Sequence, residues 1–260
     1  MGEVIPFRRK EKNELIMKRR RKKFLKKSII FFLFLISTLI TLLLKHPFFN
    51  VKNIETQGNK NISPEIIKEL SNIYVGNNIF YLNMDKAKEN IKSNPYIMEA
   101  KIVRKLPSTV IIQINEREAV FYGKTSDGYV IIDKYGVVLE KRKDIKGMNL
   151  VKLQGFEIEK SQIGEHIVVE DERKLKAVTT ISSMLGPRKD NYKIAQVDIS
   201  NINNIQFLYK NIVIRAGNEE NLEEKLNKAF NIISQREELE NAKGYIDVSF
   251  KGNPVVYIEN

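Results

Sequence analysis

The 260-residue sequence contains no cysteine, no tryptophan and two histidines. Without cysteine the chain has no disulfide, no thiolate nucleophile and no cysteine-ligated metal site. Any part of it outside the membrane must therefore be stabilised by packing alone. His46 and His166 lie far apart in the sequence, and we expect each to be a surface polar residue rather than a base or a metal ligand.

Recognisable catalytic motifs are also absent. The sequence has no HExxH, no GxSxG, no phosphate-binding glycine loop and no Ser-x-x-Lys with its partner motifs. Acid pairs such as Glu116/Glu118 and Glu170/Glu172 lie among basic neighbours or near helix starts, which is typical of solvated elements. A pair of catalytic carboxylates is not excluded by these residues, but nothing favours one. We therefore expect recognition rather than catalysis, with no cofactor, metal or small-molecule substrate.

Charge is missing from residues 28–44, SIIFFLFLISTLITLLL. As a helix, this run covers about 25 Å, just short of a hydrocarbon core of about 30 Å, and apolar flanks such as Phe24 and Phe48 supply the difference. A buried core helix is disfavoured because such helices are rarely apolar on every side. The run therefore predicts a transmembrane helix.

Basic residues are concentrated in front of this run. Residues 1–27 hold twelve Lys and Arg against three Glu, which is +9 of the formal net charge of +12. This asymmetry predicts a cytoplasmic tail at 1–27 and an extracytoplasmic C-terminal part, a single-pass type II protein of the cell membrane. A cleaved signal peptide is disfavoured because no A-x-A site follows the apolar run. The basic tail is better explained by topology and anionic lipid than by nucleic-acid binding.

The remaining sequence predicts an α+β fold. Residues 48–117 have the order β-α-α-β-β: a strand within 48–58, a helix starting at Ser63-Pro64-Glu65 and a second helix capped by Asn83 or Asp85 precede two strands. Residues 118–260 predict many short strands and two amphipathic helices. Those helices are expected at Asp171–Leu185, ended by Gly186-Pro187, and at Glu219–Leu239.

The last predicted strand, Val255–Ile258, is the best candidate for a recognition surface. It follows a proline and ends two residues before Asn260, so no later segment of this sequence is available to cover it. A strand at a sheet edge offers unpaired N–H and C=O groups to a partner strand. A central position in the sheet, with these residues completing the core, is an equally open alternative.

Six motifs in order resemble the FtsQ/DivIB family of bacterial cell-division proteins. The likeness is carried by the stretches FFNVKNIETQGN, VGNNIFYLNMD, NPYIMEAKIVRKLPSTVIIQINEREAVF and GYVIIDKYGVVL. Tyr96-Ile97 and Ala119 are mild departures from the family pattern. The matching motifs are Gly58-Asn59, Gly76-Asn77-Asn78-Ile79-Phe80, Pro95-Tyr96-Ile97, Leu106-Pro107-Ser108-Thr109, Glu116-Arg117-Glu118-Ala119 and Ile132-Asp133-Lys134-Tyr135-Gly136.

The resemblance implies a POTRA domain at 48–117 and a larger β domain at 118–260, in which the two helices pack on a mixed sheet. It implies a non-enzymatic scaffold at the division septum that binds FtsB/DivIC-type and FtsL-type proteins and helps control septal peptidoglycan synthesis. By position, the partner-binding edge comprises Phe250, Val255, Val256, Tyr257 and Ile258. The alternatives are an anchored extracytoplasmic enzyme acting on the wall, and a POTRA-type transport chaperone, which is disfavoured because the sequence shows no repeat.

Overall fold

The computed structural model describes residues 7–185 and 194–259. It begins with one continuous helix, α1 (Phe7–Leu44), of 38 residues. Its portion Ile16–Leu44 is the one helix in these ranges long and apolar enough to cross a membrane, and its apolar window is unburied by the rest of the protein. The predicted transmembrane helix at 28–44 is thus the C-terminal part of a longer helix that includes most of the basic tail.

The chain leaves α1 through a short 3-10 turn, Pro47–Phe49, rather than through a strand. Nδ1 of His46 accepts a hydrogen bond from the Phe48 N–H at 3.2 Å, which caps this turn. The strand predicted within 48–58 is therefore shorter and starts at Asn53. The preceding Val51 instead exchanges backbone hydrogen bonds with Gly76 and Asn77, so its backbone is occupied by a loop.

The first folded region has the predicted order β-α-α-β-β. Its three strands form a sheet with β3 (Thr109–Glu116) in the centre, parallel to β1 (Asn53–Gln57) and antiparallel to β2 (Ile97–Lys105). Ser63 and Asn83 cap the two helices through hydrogen bonds from the N–H groups of Ile66 and Lys86. The elements are β1 Asn53–Gln57, α2 Pro64–Ser71, α3 Met84–Lys92, β2 Ile97–Lys105 and β3 Thr109–Glu116.

The second region is a nine-stranded mixed sheet. The strands are β4 Ala119–Lys124, β5 Tyr129–Asp133, β6 Val138–Arg142, β7 Val151–Gln154, β8 Ile194–Asp198, β9 Ile205–Tyr209, β10 Ile212–Gly217, β11 Gly244–Asp247 and β12 Val255–Ile258. In spatial order they run β12-β11-β10-β9-β8-β7-β4-β5-β6, with parallel pairs at β10/β11, β7/β8 and β4/β7.

Two helices cover this sheet, α4 (Arg173–Leu185) and α5 (Leu222–Gln235). Both contribute buried apolar residues to the same core as the strands. The second helix is shorter than the predicted 219–239, because Asn221 adopts a left-handed conformation before it and a 3-10 turn, Glu237–Glu240, follows it. The stop predicted at Gly186-Pro187 lies outside the described residues.

The buried apolar residues form two separate clusters, one within 51–114 and one within 120–248. Between them, Nη1 of Arg117 lies 2.7 Å from Oδ2 of the fully buried Asp133. The Tyr96 hydroxyl donates to Oε1 of Glu140 at 2.8 Å. Burial, followed by this contact with Glu140, raises the pKa of Tyr96 well above its ordinary value. The boundary between residues 117 and 118 stays a prediction, and these two contacts join the regions on either side of it.

Candidate functional site: the open edge of the large sheet

The strand β12 lies at one end of the nine-stranded sheet. It pairs antiparallel with β11, with Tyr245 opposite Tyr257 and Ile246 opposite Val256. On its other side no strand within residues 7–185 and 194–259 pairs with it. Of the two positions left open by the sequence, the structure therefore has the edge position.

The backbone of β12 has hydrogen-bonding groups directed away from the sheet. The N–H of Glu259 donates to the carbonyl of Lys243 at 2.7 Å, which marks that pair as hydrogen-bonded. In an antiparallel ladder such pairs alternate, so Tyr257 and Val255 direct their groups at β11. Val256 and Ile258 consequently present their N–H and C=O groups to the open edge, which is the arrangement that an added strand requires.

The side chains of β12 divide between its two faces. Val256 and Ile258 pack against the main core, whereas Val255 and Tyr257 are about half exposed, at 45% and 50%. The inward pair fixes the strand on the core, since a slip of one residue would expose it. The outward pair is free to contact a partner that adds to the edge.

An aromatic and cationic ladder continues this outward face onto the neighbouring strands. The rings of Tyr257 and Tyr245 are stacked with centroids 5.3 Å apart, and the guanidinium of Arg215 lies 3.9 Å from the Tyr245 centroid. The family resemblance places Tyr245 in the segment beside the predicted edge, whereas Arg215 was not predicted at this site. Tyr245 lies opposite Tyr257 through the antiparallel pairing of β11 with β12. Arg215 reaches Tyr245 through the parallel pairing of β10 with β11, for which the sequence gives no local signal.

Phe250, the remaining predicted site residue, is not brought into this ladder. It lies in the connection between β11 and β12, is 48% exposed, and its ring borders the space beside Gly252. At the other end of β12, Nζ of Lys243 forms an ion pair with Glu259 at 2.7 Å. This hydrogen bond and the carboxylate charge raise the pKa of Lys243. The predicted site is thus a four-residue strand with one exposed aromatic residue in the preceding loop.

The edge at β12 differs in composition from the other sheet edges of the described chain. The strand VVYI has no charged residue, whereas the other edge strands β1, β2 and β6 all carry charges. The start of β6 is also covered, because Val138 exchanges backbone hydrogen bonds with Gly164 and Glu165. Charges and coverage are the usual protection of a sheet edge against pairing. The strand β12 carries no charge, and no segment within residues 7–185 and 194–259 pairs with its open side.

The described ranges hold both histidines and the buried Asp133 in structural contacts. They contain no cluster of three or more His, Asp or Glu residues suited to a metal. Nδ1 of His166 lies 3.2 Å from the Tyr135 carbonyl, and His46 caps the turn after α1. The buried carboxylate of Asp133 accepts hydrogen bonds from the N–H groups of Tyr135 and Val137, so it organises a turn.

Two family models match the chain. The POTRA domain, FtsQ-type, matches residues 49–117, and the cell division protein FtsQ/DivIB C-terminal domain matches residues 122–249. A cell division protein DivIB of Clostridium botulinum is 48% identical over 227 residues, covering 87% of this chain and 88% of the relative. The DivIB of Clostridium acetobutylicum is 47% identical over 250 residues, covering 96% and 99%.

This chain belongs to the FtsQ/DivIB family of cell-division proteins. More distant relatives match only part of it: an FtsQ of Corynebacterium glutamicum is 34% identical over 90 residues, 35% of this chain. FtsQ/DivIB proteins are cell-division scaffolds and not a known class of enzymes. Membership therefore gives a role in division, with a candidate membrane anchor at the N-terminus.

Proposed function

We propose that this FtsQ/DivIB protein is a non-enzymatic scaffold of the division septum, whose β12 edge binds an FtsB/DivIC-type partner by strand addition. An FtsL-type protein joins the same assembly, and the complex helps control septal peptidoglycan synthesis. The observation that carries this proposal is the open, uncharged β12, with the backbone groups of Val256 and Ile258 directed outward. Backbone hydrogen bonds supply affinity in this mode, and side chains such as Tyr257 supply specificity.

The proposed orientation places residues 1–27 in the cytoplasm and both folded regions outside the membrane. It is supported by the twelve basic residues of the tail and by the apolar helix that follows them.

Depletion followed by rescue tests the proposal. We expect depleted cells to filament, and wild-type protein to restore division. Tyr257→Lys should fail to rescue and should fail to capture the partner, because it introduces a charge on the exposed face of the strand that receives the added strand. Division at normal cell length after depletion would contradict the division role itself.

A matched variant at the opposite edge separates docking from folding. Lys141→Glu changes charge on β6, an edge that is already charged, and we expect it to rescue fully. Tyr257→Lys and Lys141→Glu should both retain the circular dichroism spectrum and the unfolding temperature of the wild type, because both side chains are exposed. If cells with Tyr257→Lys divide normally and this variant captures the partner as well as Lys141→Glu does, the β12 edge is not the docking site.

A further inference from the structure

The three-stranded sheet of the first folded region has one end near α1 and the other end against the larger sheet. Asn53 of β1 and Lys105 of β2 both pair with Thr109 at the start of β3, so these residues share one end of the sheet. Ile97 pairs with Glu116 at the other end, which is the end that contacts the larger sheet. The chain arrives from α1 at the first end, hereafter the proximal end.

The proximal end is attached directly to the last residue of the candidate membrane span. Nδ2 of Asn78 donates to the carbonyl oxygen of Leu44 at 2.8 Å. The ring of Phe49 packs on Phe80 with centroids 5.1 Å apart, and the N–H of Ile79 donates to the carbonyl of Phe49 at 2.9 Å. The loop 74–82 is therefore held beside the point where the helix ends.

Large apolar and aromatic side chains are exposed at this proximal end. Phe48 is 55% exposed and Tyr81 58%, and Tyr74, Val75 and Leu106 are exposed to a similar or greater degree. The loop that carries Tyr81 is joined to the end of β2, because Arg104 donates to the carbonyls of Ile79 and Leu82. These residues therefore belong to one surface and are not scattered over the domain.

The charged residues in the segments that build the proximal end are all basic. The three segments that build it, 44–53, 74–82 and 104–109, contain Lys45, Lys52, Arg104 and Lys105 and no Asp or Glu. The acids that follow most closely are Glu55, two residues beyond Asn53 on β1, and Asp85, which is paired with Lys88 at 3.1 Å. Aromatic residues accompanied by lysine and arginine are the composition found where proteins meet the lipid headgroups, and basic residues there attract anionic lipids.

We propose that the proximal end of the POTRA region lies on the lipid headgroups of the leaflet in which the span ends, and that anionic lipid strengthens this contact. Phe48 and Tyr81 enter the interface, while Lys45, Lys52 and Lys105 contact phosphates. This surface would then set the orientation of the folded regions relative to the membrane. The inference depends on the proposed membrane span and not on docking at β12.

Fluorescence quenching by lipid can test this surface because the natural chain contains no tryptophan. Full-length protein carrying Tyr81→Trp or Phe48→Trp is placed in vesicles of phosphatidylcholine and phosphatidylglycerol brominated on the acyl chains near the headgroup. We expect emission from both reporters to fall about twofold, as for an aromatic residue at the interface. Lys60→Trp, at the opposite end of the sheet, should change by less than about a tenth because it faces away from the lipid.

Two further arms separate the possible outcomes. Phe34→Trp, in the middle of the apolar run, should be quenched strongly in matched vesicles whose lipids are brominated deep in the acyl chains; if it is not, both the span and this inference are wrong. Lys52→Glu with Lys105→Glu should reduce quenching of the Tyr81→Trp reporter in anionic vesicles, yet leave partner capture by β12 in detergent unchanged. Quenching of Phe34→Trp without quenching of Tyr81→Trp would overturn the lipid contact and favour a protein partner on this surface.

Discussion

Single carboxylates hold together parts of this protein that are far apart in the sequence. Glu116, at the end of β3, accepts hydrogen bonds from the N–H groups of Lys60, Asn61 and Ile62, more than fifty residues earlier. Asp133 similarly receives Arg117 together with two N–H groups of its own turn. The sequence places both acids in the correct elements, but nothing local indicates the loops that they bind.

Glu116 should make stability depend on pH. Partial burial would raise its pKa, but the hydrogen bonds from Lys60, Asn61 and Ile62 outweigh that effect and lower it. A lowered pKa means that the stabilisation is complete above the ordinary carboxylate pKa and is lost as pH falls through the folded value. We expect Glu116→Gln to reduce the free energy of unfolding by about 1 kcal/mol at pH 7. Urea unfolding at several pH values should show the difference from wild type shrinking below about pH 4.

Arg117 should contribute more to the free energy of unfolding than an exposed arginine nearby. Arg117→Met would leave the carboxylate of Asp133, which is fully buried, without its cation, and we expect a loss of about 3 kcal/mol in unfolding free energy. The matched control is Arg142→Met, whose ion pair with Glu140 is exposed and should contribute little. Chemical unfolding of full-length protein in detergent measures both. If both variants lost the same free energy of unfolding, burial of Asp133 would not explain the contribution of Arg117.

At the scale of elements, periodic and capped segments were predictable because their signals are local. Ser63 and Asn83 begin α2 and α3 as their side chains predict, and the apolar alternation of β3 is confirmed as a half-buried strand. The segment after α1 was mispredicted as strand because Phe48 and Phe49 look like strand residues but pack around a 3-10 turn. Sheet order, including the parallel β4/β7 pair, depends on contacts between distant segments that no local pattern encodes.

Close contact between β11 and β12 depends on a glycine. A Cβ at position 244 would overlap the carbonyl oxygen of Tyr257, so Gly244→Ala should displace β12 while leaving its own sequence intact. We expect a cost of about 2 kcal/mol, confined to this strand pair. Hydrogen exchange measured by mass spectrometry should show faster exchange in residues 253–259 and unchanged exchange in α4, together with weaker capture of the partner.

The neighbouring residue provides the control for that experiment. Lys243→Ala removes only the exposed ion pair with Glu259, and exchange in β12 should stay close to wild type. Gly244→Ala changes neither the outward backbone groups of Val256 nor the outward side chain of Tyr257. A loss of partner capture would therefore result from displacement of β12. Unaltered exchange with Gly244→Ala would mean that the two strands tolerate the extra methyl.

At the scale of the whole molecule, α1 is longer than a membrane is thick. Its 38 residues extend about 57 Å, whereas a hydrocarbon core takes about 30 Å. The apolar run occupies the C-terminal half, so the basic half, including Arg19 to Lys23, projects from the membrane as a continuation of the same helix. The composition predicted the membrane span, but it did not predict that the basic tail continues the same helix.

The charge asymmetry predicts which residues are reachable from outside the cell. Because the chain has no cysteine, single substitutions such as Lys12→Cys and Ile163→Cys introduce one reactive thiol each. In intact cells, or in spheroplasts where an outer layer blocks access, a membrane-impermeant maleimide should label Ile163→Cys, which is exposed beyond the span, and not Lys12→Cys. Permeabilised cells should label both, which controls for reactivity. Labelling of Lys12→Cys alone in intact cells would invert the topology and place the β12 edge where no partner outside the membrane could reach it.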